Sequence, residues 1–354
     1  IVGRASAAAL PWAMALVGAI IGLPMFFEIG LVLLMPVIYL VARRAEVSLI
    51  TVGIPALAGL SAMHGLVPPH PGPLTAIDYL GADLGLTLAL GVLVAVPTVI
   101  VSGPVFARFA GRWVDVPAPH TFDASDRADS AKRPSFGVTM FSVLLPVALM
   151  LGKALVDIFI DDEKQMFRQI LDVLGTPLIA LLIAVVVAIF TFGTGTGMKP
   201  REVAKTVETS LPPIAGILLI VAAGGGFKQV LVDTGIGTLL ADWAKDANVS
   251  VVLLAWVLAV LIRLATGSAT VATITASSLM IGLVDGLSSG ETSLVVLAVG
   301  AGSVFFSHVN DAGFWLVKEY FGMSVGQTIK SWSLMETVLS VTGLVFVLLL
   351  GLVI

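Results

Sequence analysis

Long uncharged stretches punctuate the chain. They cover residues 5–27, 47–77, 84–107, 173–198, 209–227, 264–284, 292–310 and 337–354, and the charged residues are bunched between them. A helix rises about 1.5 Å per residue, so a run of about 20 apolar residues crosses a hydrocarbon core about 30 Å thick. One such run is equally well a signal peptide or a buried helix. This many predict a bundle of membrane-spanning helices.

The signs of the intervening charges predict how the segments thread. Lys and Arg collect at Arg43-Arg44, in the stretch from Arg108 to Pro134, at Lys199, Arg201 and Lys205, and from Lys318 to Lys330. Such loops stay on the cytoplasmic side. The loop Asp157–Asp172 carries five acids against two bases, and the loop with Asp285 and Glu291 has no base, so both are expected outside. To satisfy these sides, residues 10–42 must split near Phe26-Phe-Glu-Ile-Gly30 and return to the basic side. Residues 249–283 must likewise split near Arg263–Thr270 and return to the acidic side. Each split predicts a re-entrant hairpin. Laid over the second half, the first half sets Glu28 near Gly267 and His64 near His308. The expected fold is an all-α polytopic membrane protein with two inverted repeats, each holding a re-entrant hairpin and a broken transmembrane helix. The repeats would be residues 1–107 and 137–354, with 108–136 as a cytoplasmic connecting loop.

Composition agrees with a bilayer environment. Hydrophobic residues make up 58% of the chain and charged residues 12%, with a mean hydropathy of +1.05. Soluble domains carry about 25% charged residues, roughly twice as many. A net charge of −4 points to no nucleic-acid partner, and the absence of cysteine removes disulfides and thiolate metal sites. No cofactor is expected. The chain opens Ile1-Val2-Gly3-Arg4, without an initiator Met or a cleavable signal pattern, which predicts that further spanning segments precede it.

Chemistry is expected where the backbone breaks at membrane depth, because such breaks persist only when buried in protein or lining a cavity. Thr266-Gly267-Ser268-Ala269-Thr270 forms a small, hydroxyl-rich tip whose second half-helix offers free N–H groups to a carboxylate. The same small residues also permit close helix packing. Ser307-His308-Val309-Asn310-Asp311 places four hydrogen-bonding side chains where lipid cannot accept them, a substrate and proton site or a polar tie between helices. His64-Gly65 with Pro68-Pro69-His70-Pro71 marks a third break, or an outer seal. Glu28 and Arg263 are lone ionisable residues in the two hairpins. Glu28 is either a protonatable acid or the ion-pair partner of Arg263, and Arg263 is a candidate carboxylate clamp. Lys153, Asp157 and Glu336 lie near segment ends and are expected to be interfacial.

Four segments carry a family resemblance: Phe26–Leu34, His64–Pro73, Gly267–Ala272 and Ser307–Trp315 resemble the gluconate permease (GntP) family over essentially the whole chain. The resemblance implies proton symport of gluconate or a related small hydroxy acid across the cytoplasmic membrane of a bacterium, in some members D-serine or another small acid. Substrate-binding residues are then expected at His64, His70, Arg263, Thr266, Gly267, Ser268, Thr270, Ser307 and Asn310, and proton coupling at His308, Asp311 or Glu28. The oligomeric state stays open, a homo-oligomer included. A passive channel needs a continuous polar lining, whereas these polar residues cluster at breaks. An enzyme needs a nucleophile–base set or metal-ligand spacing that the sequence lacks.

Overall fold

Short apolar helices interrupted by turns dominate the computed structural model. It describes residues 8–117, 134–160, 164–212 and 250–354, with scattered positions between 215 and 234. Most of the run predicted at 209–227 and most of the predicted connecting loop lie outside the described residues. Among the described residues the structure is helical, with no strand. Two compact units form, residues 1–123 with 224–354, and residues 124–223.

The first unit contains both hairpins. Helices α1 (Leu10–Gly22) and α2 (Phe27–Ala45) form one, and α11 (Val251–Thr266) and α12 (Ala269–Met280) the other. Helices of 13 and 12 residues reach only about 20 Å, short of a full crossing. The first turn lies at Leu23–Phe26, upstream of the expected Phe26–Gly30, because Pro24 stops α1 and Phe27 already begins α2. Each hairpin is followed by a broken helix. Helix α3 (Leu49–Leu66) gives way to α4 (Pro71–Leu80), and α13 (Ser289–Ser303) gives way to α14 (Ala312–Phe321). The contacts come in matching sets: α1 packs on α3 and α11 on α13, while α4 packs on α12 and α14 on α2.

Small residues allow these approaches. A Cβ on Gly18 would stand 2.0 Å from the Ala56 carbonyl oxygen, and one on Gly302 would stand 2.6 Å from that of Trp256. Without a hydrophobic drive between helices in lipid, such close packing supplies the cohesion.

Helix α5 (Leu84–Ile100) passes through a π-turn at Val101–Val105 into α6 (Phe106–Trp113). Helix therefore extends past the expected boundary at residue 107, because Phe106, Ala107 and Ala110 are buried. The chain then closes on Leu49, whose N–H donates to Val116 (2.8 Å). A short α15 (Val325–Thr328), a π-turn at Ile329–Ser333 and α16 (Leu334–Leu350) complete the unit.

This arrangement sorts charge. Arg43 and Arg44 end α2, Lys318 lies in the last turn of α14, and α6 with Arg112 packs on the π-turn that holds Lys330. At the opposite end Asp83 caps α5 and Glu291 closes a capping box with Ser288, while Thr87 bonds Ser293 (3.0 Å) between the two helices.

The second unit packs α7 (Phe136–Phe159) on α8 (Met166–Leu174) and on α9 (Pro177–Ala188), which runs on to Thr196. Ser142 and Thr191 bond across α7 and the end of α9 (3.0 Å). Helix α10 (Pro200–Ser210) bears Arg201, Glu202, Lys205 and Glu208. Leu178, Leu182 and Val185 are exposed on α9, the side-chain pattern of a lipid-facing surface. Lys153 lies 3.7 Å from Asp172 near the unit's rim.

Candidate functional site

The site is assembled where the α11–α12 tip presses on the break between α13 and α14. Gly267 ends α11 in the left-handed conformation (φ 72°), and its N–H donates to the Arg263 carbonyl (2.9 Å). A Cβ there would stand 2.2 Å from the Asn310 carbonyl oxygen, so only glycine fits both the turn and the approach. From the last turn of α11, Arg263 donates one N–H to the Gly267 carbonyl and another to Asp311 Oδ2. The guanidinium therefore ties the tip to the break.

Asp311 is the N-cap of α14. Its Oδ1 accepts from the Gly313 N–H (2.8 Å), and Oδ2 also accepts from the Ser307 hydroxyl. Ser307 in turn accepts from Trp332 Nε1 (2.7 Å), and its carbonyl accepts from Ser333 Oγ. The π-turn at Ile329–Ser333 aims this Trp-Ser pair at the break, a common use of a π-bulge. Trp332 also packs on Phe27 at the start of α2, with ring centroids 4.9 Å apart, so both hairpin tips meet one centre.

Asn310 Nδ2 donates to the Leu264 carbonyl (2.9 Å), and His308 Nε2 stands 3.3 Å from the same oxygen. The Ser268 side chain caps α12 by accepting from the Val271 N–H (3.3 Å), which leaves its own O–H as a donor. Thr266 is exposed, and its hydroxyl donates to the Ile262 carbonyl. Thr270 is half-buried in the first turn of α12.

On the other half, the break is Val67–His70. His64 remains inside α3, which continues to Leu66 until Pro68 and Pro69 stop it. His70 donates to the Gly22 carbonyl at the end of α1 (2.6 Å), and its ring stands 5.0 Å from that of His64. His70 directly precedes α4 as Asp311 directly precedes α14. Both residues fasten a break to its neighbouring hairpin.

Two sequence expectations change. Arg263 pairs with Asp311 and not with Glu28, whose side chain is exposed. Glu336 is not interfacial. It is 1% exposed inside α16, and neither carboxylate oxygen has a hydrogen bond of proper geometry. An acid in the first turn of an apolar helix was the available signal. Trp332 had no such signal, since its role depends on the π-turn.

A GntP family permease profile matches residues 4–353. The chain belongs to the GntP permease family. It is 50% identical to the gluconate permease of Pseudomonas aeruginosa over 344 residues, 97% of this chain and 76% of that one. It is 44% identical to a high-affinity gluconate transporter of Escherichia coli over 345 residues, covering 98% and 78%. The Gnt-II system L-idonate transporter of Escherichia coli is 40% identical over 342 residues, covering 95% and 76%. The crystal structure of the Alcanivorax borkumensis YdaH transporter is similar over 99% of this chain and 80% of that one, with a TM-score of 0.67 at 19% identity. That likeness establishes the helical fold, and membership of the permease family makes the chain a transporter rather than an enzyme.

Proposed function

We propose that this permease carries gluconate, or a closely similar sugar acid, together with protons across the cytoplasmic membrane of a bacterium. The substrate class rests on relatives named for gluconate and L-idonate transport. One observation carries the placement of the substrate. The two hairpins present two helix N-termini, and that of α2 carries an acid of its own, Glu28, in its first turn. The N-terminus of α12 has no acid in its first turn. It offers free N–H groups, the Ser268 hydroxyl and a local positive dipole to a substrate carboxylate. Thr266, Thr270, Asn310 and His308 surround this end with groups suited to the hydroxyls of a sugar acid. Asp311, already holding three donors, anchors the break, and Arg263 clamps the tip rather than the substrate. Glu28 and His308 have no ion-pair partner among the described residues, which supports them as candidates for proton coupling.

Uptake of labelled gluconate into proteoliposomes tests this reading. An inward proton gradient is expected to drive accumulation, and gluconate and L-idonate are expected to compete better than unrelated carboxylates. Equal uptake with and without the gradient contradicts symport. Competition blind to the sugar hydroxyls contradicts the substrate class.

A further inference from the structure

Glu336 is the buried acid that the foregoing reading leaves unused. It lies in the first turn of α16, and Ser61 of α3 is its polar neighbour, yet both carboxylate oxygens lack a hydrogen bond of proper geometry. A carboxylate held this way has exchanged water for nothing, so the conformation accommodates the neutral acid. A second unsatisfied group, of opposite character, lies on a neighbouring helix. Arg263 Nε is buried without an acceptor, although the other nitrogens hold Gly267 and Asp311. Helix α16, which carries Glu336, packs directly on α11, which carries Arg263.

The remaining surroundings are nearly free of charge. Helix α16 packs on α3, α5, α11, α13 and the two π-turns at Val101–Val105 and Ile329–Ser333. Of these, α5 and the Val101–Val105 turn carry no titratable group. Helix α3 contributes His64, whose Nδ1 is also buried without a partner. Glu291 lies at the far start of α13, and Lys330 precedes α16 on the π-turn. Arg263 is therefore the cation an ionised Glu336 would turn to.

We infer that Glu336 is the buried proton-binding group of the carrier, and that its loss of the proton draws Arg263 from Asp311 and so frees the α11–α12 tip. With the proton on, Arg263 holds the Gly267 carbonyl and Asp311 together, and the tip stays against the break. With the proton off, two carboxylates compete for one guanidinium. A shift of Arg263 toward Glu336 weakens the link between tip and break, where the substrate carboxylate sits. Protonation and substrate access then share one bistable contact, as coupled transport requires. This inference rests on the symport reading above.

Two measurements test it. Glu336→Gln fixes the neutral form in nearly the same volume. In proteoliposomes with an inward proton gradient, the variant is expected to lose accumulation of labelled gluconate above equilibrium. Its gluconate exchange is expected to persist without the pH dependence of the parent protein. Separately, a carbodiimide, which modifies protonated carboxyls in apolar surroundings, is expected to label Glu336 of the unsubstituted protein, less as pH rises. Gradient-driven accumulation by Glu336→Gln at the parent level overturns the inference and leaves symport standing. Parent uptake indifferent to the proton gradient overturns symport and the inference together. If the variant neither exchanges nor accumulates, the labelling decides: a pH-dependent adduct at Glu336 supports the inference, and no adduct at any pH overturns it.

Discussion

Ser268 serves two ends with one hydroxyl. Its oxygen caps α12 through Val271, and its proton remains for a ligand. Ser268→Ala is expected to weaken apparent gluconate affinity by about 1.5–3 kcal/mol, the worth of a hydrogen bond to a charged group. Lost capping should cost folding less, about 1 kcal/mol. Competition assays on well-expressed protein check this, and unchanged affinity would remove Ser268 from the site. Asp311→Asn acts differently, because it strands a buried guanidinium. Its expected cost is about 3–5 kcal/mol, read as a lowered thermal midpoint in detergent. Neutralising Arg263 and Asp311 together should cost less than Asp311→Asn alone, since no unpaired charge remains. The sequence singled out both residues as ionisable groups in apolar runs. Their pairing was not legible, because they lie on separate helices and Glu28 was an equally good candidate on charge alone.

At the scale of elements, local chemistry explains most boundaries. Pro24 ends α1, Pro68 and Pro69 end α3, and Ser250, Ser268, Ser288 and Asp311 cap the helices that follow them. These signals are readable without a structure. The π-turns are not, since they depend on what packs against a helix from elsewhere in the chain. Where helices cross, glycine decides the distance. A Cβ on Gly300 would stand 2.1 Å from the Gly65 carbonyl oxygen, so Gly300→Ala must push α13 from α3. The expected loss is about 1–3 kcal/mol, measurable as a lower thermal midpoint with reduced gluconate uptake. A variant as stable as the parent would mean that the crossing tolerates separation.

Across the whole molecule, charge sets direction. The first unit carries Arg43, Arg44, Arg112, Lys318 and Lys330 at one end and Asp83 and Glu291 at the other. Cysteine introduced at Glu291 of this cysteine-free chain should react with an impermeant thiol reagent from outside, and at Lys199 only from inside. The reverse pattern in intact cells would invert the assigned orientation and the faces from which the hairpins enter.

Patterns read along the chain predicted segments long enough to cross a bilayer, two helical hairpins, and two helix breaks beyond them. These follow from segment length, proline and the side-specific placement of Lys and Arg, which act locally along the chain. Partner choice at the centre was decided only by tertiary structure. Arg263 reaches Asp311, Trp332 reaches Ser307, and Glu336 is enclosed rather than interfacial, each through residues far away in sequence. The physical reason is that burial and hydrogen bonding depend on which helix faces meet, and the low dielectric there magnifies every pairing so made.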